Sequence, residues 1–362
     1  MMEKTLPEVC IIQYGFPFDS SKFCSAEGVP LVRIRDVVRG YSETYTTEIA
    51  GENYIVNDGD LLIGMDGEFN IAYWKGGRAY LNQRVCRLIP REDVDRDYIF
   101  YYMPQALKAI EDATPFVTVK HLSAKQLSKI LIPLPDMREQ QRISAVLRSV
   151  DRVIAMRKKE LDELNHLVKS RFIELFGDPV TNPYGWQQLT VNDVCVSIVR
   201  GPFGSALKKE FFVPPSDTTY KVYEQKHAIQ KSSTIGTYYV TAEKYNELRR
   251  FECHSGDILM SCSGTMGELY QLPAGCERGI INQALCKFTL NERILPIAFL
   301  AYMRETIGNL ETKGSGIQNI AAVSYVKAMP INLPPMRVQE QFAAFVEQTD
   351  KSKLCGKMEV AA

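Results

Sequence analysis

Two arginines, Arg33 and Arg35, have the spacing best suited to binding a hydrogen-bonding ligand. They alternate in the run LVRIRDV, which predicts a strand, so both side chains would point to the same face. A guanidinium group carries a planar fork of donors that can bind two acceptors at once, as on a phosphate or a guanine edge. The competing interpretation is a solvated strand face. Lys226 lies in the corresponding run of the second half, YEQKHAI.

Other basic and small polar residues could bind a polyanion, with plain solubility as the alternative for the charged ones. The basic candidates are Lys75, Arg78, Lys120, Lys208, Lys209, Arg249 and Arg250. The stretches SGTMG and KGSGIQ look like phosphate loops, but neither continues into the G-K-[ST] of nucleotide sites. Their candidate residues are Ser263, Thr265, Lys313, Ser315 and Gln318.

The sequence predicts no catalytic or metal-binding cluster. Asn182-Pro183-Tyr184 is similar to the catalytic loop of adenine methyltransferases, but a second proline and a glycine-rich donor site are missing, which favours a turn. The four histidines are dispersed, and the nine cysteines include no C-x-x-C pair. We therefore expect no metal and reduced, mostly buried cysteines.

The composition is that of a globular protein long enough for two domains, with 362 residues, 45% hydrophobic and 24% charged. The formal net charge is zero, so any polyanion site must arise from local clustering of basic residues. No run reaches the roughly 18 apolar residues of a membrane span, and the N-terminus lacks the apolar run of a signal peptide. We expect no membrane segment and a cytoplasmic location.

An internal repeat organises the chain. The run IPLPDMREQQ starts at residue 132 and INLPPMRVQE at residue 331; GDLLIGMDG is matched by GDILMSCSG, and LNQRVCRL by INQALCKF. The copies follow the same order about 200 residues apart, so each copy spans a whole domain. Short β-rich runs followed by helical segments in each copy predict an α+β fold arranged as domain, helix, domain, helix.

The segment from Met137 to Phe176 contains no Gly or Pro and predicts one helix of roughly 60 Å. Asp136 and Glu139 predict a capping box at its start. Apolar residues at heptad spacing form a seam interrupted by two arginines, and an antiparallel pair with the second-copy helix is the simplest way to cover it. We expect Arg157 and Arg171 to fix the register of this pair or to face a partner. The full predicted contact set is Ile143, Leu147, Val150, Ile154, Arg157, Leu161, Leu164, Arg171, Phe342 and Val346.

The repeated LPP.R..EQ motif and the junction FGDPVTNPYGW resemble the specificity subunits of type I restriction-modification systems, over essentially the whole chain. This resemblance implies two pseudo-repeated α/β target-recognition domains separated by an antiparallel pair of long helices. The domains would span residues 1–135 and 179–334. The helices would be a central spacer over 136–178 and a shortened C-terminal spacer over 335–362.

The resemblance also implies the function. The chain would be a non-catalytic subunit that recognises a bipartite, asymmetric double-stranded DNA target and positions two adenine-N6 methyltransferase subunits, with a restriction subunit as a further optional partner. It would need no cofactor, because S-adenosylmethionine and ATP would belong to the partner subunits. The basic candidates would then be DNA contacts, and the glycine-rich stretches would contact phosphates or base edges.

The chain departs from the family pattern at both ends. The first domain has no counterpart of the tryptophan-containing run GWQQLT, so its leading strand is expected to be missing. Thr349, Lys353 and Gly356 occupy seam positions of the short terminal helix, so helix pairing is expected to end near Val346. Two alternatives stay open: a degenerate or phase-variable specificity subunit with weak DNA binding, and a fused or solitary methyltransferase, which the missing motifs disfavour.

Overall fold

The computed structural model describes residues 2–114, 120–308 and 323–361. It divides into two compact units, Met1–Met156 and Arg157–Ala362. Each unit contains both helices and sheets, which confirms the α+β class. Among the described residues, no helix is both long and apolar enough to cross a bilayer.

The first unit begins with short strands and ends in the start of a long helix. Its strands are β1 (Met2–Thr5), β2 (Cys10–Tyr14), β3 (Phe23–Cys24), β4 (Val29–Val32), β5 (Tyr45–Thr46), β6 (Ile55–Val56), β7 (Leu61–Gly64), β8 (Asn70–Tyr73), β9 (Ala79–Leu81), β10 (Val85–Pro90) and β11 (Leu131–Leu134). Its helices are α1 (Leu6–Val9), α2 (Ile34–Arg39), α3 (Arg96–Ala113), α4 (Ala124–Ser128) and the first part of α5 (Met137–Phe176), with 3-10 turns at Ser20–Lys22 and Glu52–Tyr54.

The second unit starts with the remainder of α5. Its strands are β12 (Gln187–Thr190), β13 (Cys195–Arg200), β14 (Thr219–Tyr223), β15 (Tyr239–Thr241), β16 (Glu252–Cys253), β17 (Ile258–Ser261), β18 (Leu269–Gln271), β19 (Gly279–Ile281), β20 (Leu285–Leu290) and β21 (Pro330–Leu333). Its further helices are α6 (Gln225–Ile229), α7 (Ala242–Glu247), α8 (Pro296–Thr306), α9 (Val323–Lys327) and α10 (Met336–Ala361), with 3-10 turns at Val191–Val194, Gly204–Ala206, Lys209–Phe211 and Arg249–Phe251.

The two units repeat one topology. An antiparallel sheet has the order β2-β10-β7-β8 in the first unit and β13-β20-β17-β18 in the second. A mixed sheet contains a parallel pair, β4 with β9 or β14 with β19. A two-stranded ribbon joins β1 to β11, or β12 to β21. The repeat in the sequence is therefore a repeat of the fold.

The ribbon of the first unit corrects one expectation. Its leading strand was expected to be absent because the tryptophan-containing run has no counterpart. Strand β1 is nevertheless present and pairs with β11 as β12 pairs with β21, with Lys4 opposite Ile132 and Leu189 opposite Ile331. Backbone hydrogen bonds form this strand, so the tryptophan is dispensable.

The long helix α5 has the ends that the sequence predicted, Met137 and Phe176. The Asp136 carboxylate accepts a hydrogen bond from the backbone N–H of Glu139 at 2.9 Å, which caps the first turn. The Glu139 carboxylate pairs instead with Arg142 at 2.7 Å. After Phe176, Gly177 adopts a φ of 79°, the left-handed conformation that ends helices.

Helices α5 and α10 contact each other within the second unit. The buried Phe342 ring lies 5.4 Å from the Phe176 ring and 5.8 Å from the Phe172 ring. The Arg171 guanidinium lies 5.8 Å from the centre of the Phe345 ring. Later residues of α10 thus meet earlier residues of α5, so these segments run antiparallel. Thr349 is also buried, at 6% exposure, so its side chain does not break the packed face at Val346.

The repeat contains the motif LPxMR, at residues 134–138 and 333–337, and a glutamine follows two residues after each copy. In the first copy this glutamine is buried and attaches α5 to its unit. Gln140 is 1% exposed. Its Oε1 accepts from the backbone N–H of Asp95 at 2.8 Å, at the start of α3. Its Nε2 donates to the carbonyls of Pro135 at 2.9 Å and Asp93 at 3.3 Å.

The second copy repeats this clamp. Gln339, also 1% exposed, accepts from the backbone N–H of Leu295 at 2.9 Å, at the start of α8. Its Nε2 donates to the carbonyls of Pro334 and Arg293, each at 3.0 Å. The repeated glutamine therefore joins the start of each helix to backbone groups of its own unit, most of them distant in sequence.

We expect Gln339→Ala to lower the free energy of unfolding of the second unit by about 1 to 3 kcal/mol, because it leaves buried backbone groups unpaired. The exposed Gln341, on the same helix, offers a matched control, and Gln341→Ala should cost under about 0.5 kcal/mol. Hydrogen exchange of α8 and α10 peptides, read by mass spectrometry, measures both. Equal protection in the two variants would show that the clamp contributes nothing.

The other repeated motifs meet in an ion pair. In the first unit, Arg87 of β10 contacts Asp60 at 2.8 Å and donates to the carbonyl of Ile55 at 3.1 Å. Both charged side chains are partly buried. The aspartate comes from GDLLIGM and the arginine from LNQRVCRL, so the pair links two repeated segments.

The second unit builds the same pair with lysine. Lys287 of β20 lies 3.4 Å from Asp257 and donates to the carbonyl of Glu252 at 2.7 Å. The exposed fractions of the two charged side chains are 9% and 4%. These repeated residues link two repeated segments in each unit, and the second-unit pair is buried from solvent.

Candidate nucleic-acid interface

Arg33 and Arg35 do not share a strand face, contrary to the sequence prediction. Strand β4 ends at Val32, and Arg33 is the N-cap of α2. The backbone N–H of Arg33 donates to the Asp36 carboxylate at 2.9 Å, which turns the chain into the helix. The prediction was wrong because Asp36, three residues on, is an N-terminal helix signal that outweighs the alternation.

Both arginines still line one open cleft in the first unit, of about 410 Å³. The Arg33 guanidinium lies 5.9 Å from the centre of the Phe23 ring. Arg35 donates to the Thr44 hydroxyl at 3.2 Å, and its Nε lies 3.7 Å from the buried Asp36 carboxylate. Two exposed cations are therefore held in place by neighbouring side chains.

Arg84 completes this cleft and was missed by the sequence reading. It lies 3.5 Å from the Asp66 carboxylate, which also contacts His121. The sequence contains a signal for it. The repeated motif reads LNQR in the first copy and INQA in the second, so Arg84 aligns with Ala284 when the two copies are compared. A change of charge inside an otherwise repeated motif could have identified it.

The second unit carries residues of different charge at the positions that match Arg33 and Arg35. Glu224 is the N-cap of α6, where Arg33 caps α2, and Lys226 takes the place of Arg35. Lys226 lies 2.6 Å from the Glu224 carboxylate and 5.3 Å from the centre of the Tyr238 ring. The neighbouring His227 is buried and bonded to backbone groups, and burial lowers the pKa of its imidazole, as expected for a core histidine.

The other first-unit candidates lie apart in their contacts. Lys75 is exposed, and Arg78 pairs with the exposed Glu52 at 2.8 Å. The ammonium group of Lys120 donates to the backbone carbonyl of Glu111, near the end of α3.

The second-unit candidates form two exposed basic pairs. Lys208 lies 3.6 Å from Glu210, and Lys209 follows it in an exposed 3-10 turn. The side chain of Arg249 is 70% exposed and lies 3.8 Å from Glu252; Arg250 is also exposed. The Lys208–Glu210 contact is a loose, exposed ion pair, which exchanges partners at little cost, whereas the Glu252 side chain beside Arg249 is only 11% exposed.

The SGTMG stretch forms the turn between β17 and β18. The hydroxyl of Ser261 donates to the carbonyl of Thr265 at 2.6 Å and accepts from the N–H of Glu268 at 3.0 Å. Thr265 is exposed, and Ser263 is half-buried. Lys313, Ser315 and Gln318 lie outside the described residues.

The predicted helix contacts separate into three groups. Phe342 and Val346 are buried in the core of the second unit, and Arg171 contacts α10. Ile143 packs instead against the core of the first unit. Ile154, Arg157, Leu161 and Leu164 are half-buried, whereas Leu147 and Val150 are exposed on α5.

The Asn182-Pro183-Tyr184 run is a turn, closed by Asn182, whose side chain bonds the backbone of Trp186 in both directions at 2.9 Å. Within the described ranges, no group of three or more His, Cys, Asp or Glu residues could hold a metal ion. Burial raises the pKa of the Cys86 thiol to about 12, which keeps it protonated.

The structure is thus a duplicated α+β unit with exposed basic side chains, and each copy is joined to a helix by the same buried glutamine. The family model described as "Type I restriction modification DNA specificity domain" matches residues 1–166 and 183–356. The chain belongs to this family.

Curated relatives agree over part of their length. The chain is 40% identical over 167 residues to the type I restriction enzyme EcoBI specificity subunit of Escherichia coli, covering 46% of this chain and 35% of that subunit. It is 24% identical over 178 residues to the MjaVIII specificity subunit of Methanocaldococcus jannaschii, covering 46% and 42%. In both comparisons the match spans less than half of the relative.

Solved structures share the fold over nearly the whole chain. The S subunit of a type I restriction-modification system from M. genitalium aligns with a TM-score of 0.54 at 12% identity, covering 99% of this chain and 92% of that one. A chain from a study of the complex assembly and conformational transition of the type I R-M system aligns with a TM-score of 0.58 at 17% identity, with the same coverage.

Proposed function

We propose that this chain is the DNA-specificity subunit of a type I restriction-modification assembly. It reads a bipartite, asymmetric double-stranded DNA target and positions two adenine-N6 methyltransferase subunits on it, and a restriction subunit can join. It performs no chemistry itself. S-adenosylmethionine and ATP belong to the partner subunits, and the assembly works in the cytoplasm. The division into recognition domains 1–135 and 179–334 and helical spacers 136–178 and 335–362 is part of this proposal.

The observation that carries the proposal is one fold used twice with different exposed side chains at matching positions. Identical heads would read identical half-sites, whereas Arg33 and Glu224 offer opposite charges at equivalent N-caps. Joining two heads makes the second binding event intramolecular, so two modest affinities give one tight complex. The remaining DNA contacts are assigned to the basic and small polar candidates described above.

The helix α5 supports the assignment of protein partners. It exposes apolar side chains in the first unit, with Val146, Val150 and Val153 on one side of the helix and Leu147 and Met156 flanking them. Exposed apolar surface of this extent on a helix is typical of a face that another protein covers. We assign it to a methyltransferase subunit, with Arg157 and Arg171 at the edge of the packed region.

The proposal is tested by mapping N6-methyladenine across the genome of a host that carries the methyltransferase subunits, with and without this chain. We expect one split, asymmetric motif to be methylated only when the chain is present. The purified chain alone should transfer no methyl groups to DNA that contains the motif.

Methylation by the purified chain alone would overturn the non-catalytic assignment. An unchanged methylation map, with the chain present as soluble protein, would favour a degenerate subunit that binds DNA weakly.

A further inference from the structure

The three arginines of the first-unit cleft are pre-oriented for a neutral, acceptor-rich ligand. Arg33 lies against the Phe23 ring and is exposed. Its side chain makes no capping hydrogen bond, so the helix does not require it. A planar donor fork held by an aromatic ring loses little entropy when it binds two acceptors.

Two carboxylates lie beside the arginines of the cleft and offset part of their positive charge. Asp36, 0% exposed, lies beside Arg35, and Asp66 lies beside Arg84. One oxygen of Asp36, Oδ1, has no hydrogen-bond partner. Three arginines and two carboxylates leave about one net positive charge, so the attraction for a phosphate is weakened, whereas a base edge offers acceptors without a net charge to be neutralised. The electrostatics therefore favour a base over the DNA backbone.

The second unit presents different groups at the same positions. Glu224 replaces Arg33, Lys226 replaces Arg35 and pairs with Glu224, and Ala284 replaces Arg84. The acceptor on Glu224 and the missing third arginine remove the donor-rich character. Among the described residues, the three second-unit positions that match Arg33, Arg35 and Arg84 therefore carry no guanidinium fork.

We propose that the cleft formed by Arg33, Arg35 and Arg84 reads a guanine through its O6 and N7 acceptors. The contact occurs in one half of the DNA target only, the half bound by the first unit. Arg33 carries the fork, while Arg35 and Arg84 flank the base. This inference rests on the proposed function and adds the base class that one head selects.

The test maps the methylated motif of the complete assembly twice, once with the unsubstituted chain and once with Arg33→Lys. This variant keeps the positive charge but loses the planar donor fork. We expect the preference for guanine at one position of one half-site to fall roughly tenfold or more. The other half-site should stay unchanged, which shows that the variant folds and assembles. Arg39→Ala is the matched control, since Arg39 lies on the same helix and is 45% exposed but does not line the cleft.

Other outcomes are equally informative. An unchanged motif for Arg33→Lys, with Arg33→Ala lowering methylation equally at all sites, would identify a phosphate contact and overturn the guanine assignment. A motif altered to the same degree by Arg39→Ala would also overturn it. If the unsubstituted assembly gave no bipartite motif, the proposed function would fail, and this inference with it.

Discussion

Replacing Phe342 by alanine is expected to lower the free energy of unfolding of the second unit by about 3 to 5 kcal/mol. The ring is fully buried and packs against Phe172 and Phe176 of α5. Its removal leaves a cavity between the two helices that these stiff aromatic neighbours cannot fill. Urea unfolding followed by hydrogen exchange of α5 and α10 peptides measures the loss.

Phe345 provides the matched control, three residues along the same helix. It is half-buried and its ring contacts Arg171, so Phe345→Ala should cost less than half as much. The same pair of variants tests the antiparallel helix contact. If both cost the same, the aromatic cluster does not hold the helices together, and their pairing depends on other residues.

Replacing Lys287 by methionine should destabilise the second unit by about 3 to 5 kcal/mol, because it leaves the Asp257 carboxylate buried without its cation. The carbonyl of Glu252 also loses its donor. The Thr289 hydroxyl, at 2.6 Å, and the backbone N–H of His254, at 2.8 Å, still donate to Asp257 and compensate only in part, because neither supplies a full positive charge. Exchange protection of β17 and β20 reports the effect.

A second variant follows from the residue that the first unit carries at the position matching Lys287. Because Arg87 occupies the matching position there, Lys287→Arg should retain the ion pair and cost under about 1.5 kcal/mol. Lys351→Met, at an exposed pair with Glu347, should change stability by less than about 0.5 kcal/mol. Comparable losses for Lys287→Met and Lys351→Met would show that the buried pair is energetically neutral.

The long helix and the repeat could be predicted from sequence because their signals are local and extended. Forty residues without Gly or Pro and an aspartate at the cap position define α5 without any tertiary information. The order of repeated segments likewise predicts two copies of one fold. Strand β1, in contrast, was not predicted from its side chains, because it forms by backbone pairing with β11.

The roles of the repeated residues could not be predicted in the same way. Gln140 and Gln339 bond to backbone groups of residues more than 40 positions earlier, and nothing in one chain marks those partners. The sequence predicted Arg33 on a strand because the seven residues LVRIRDV show the alternation typical of a strand. The same run also contains Asp36, the signal for a helix start. The cleft could not be predicted from the sequence, because only the fold brings Arg84 beside Arg33 and Arg35, which lie about 50 positions earlier.

The paired glutamine clamps have an evolutionary consequence. Each copy of LPxMR carries its own glutamine, and the bonds it makes go to backbone atoms of the unit that precedes it. A genetic crossover between the DNA segments that encode the two copies would therefore give a chain in which every head is still attached to a helix by a complete clamp. Under the proposed function, recognition domains of different specificity would therefore be exchangeable without loss of the hydrogen bonds that attach them to their helices.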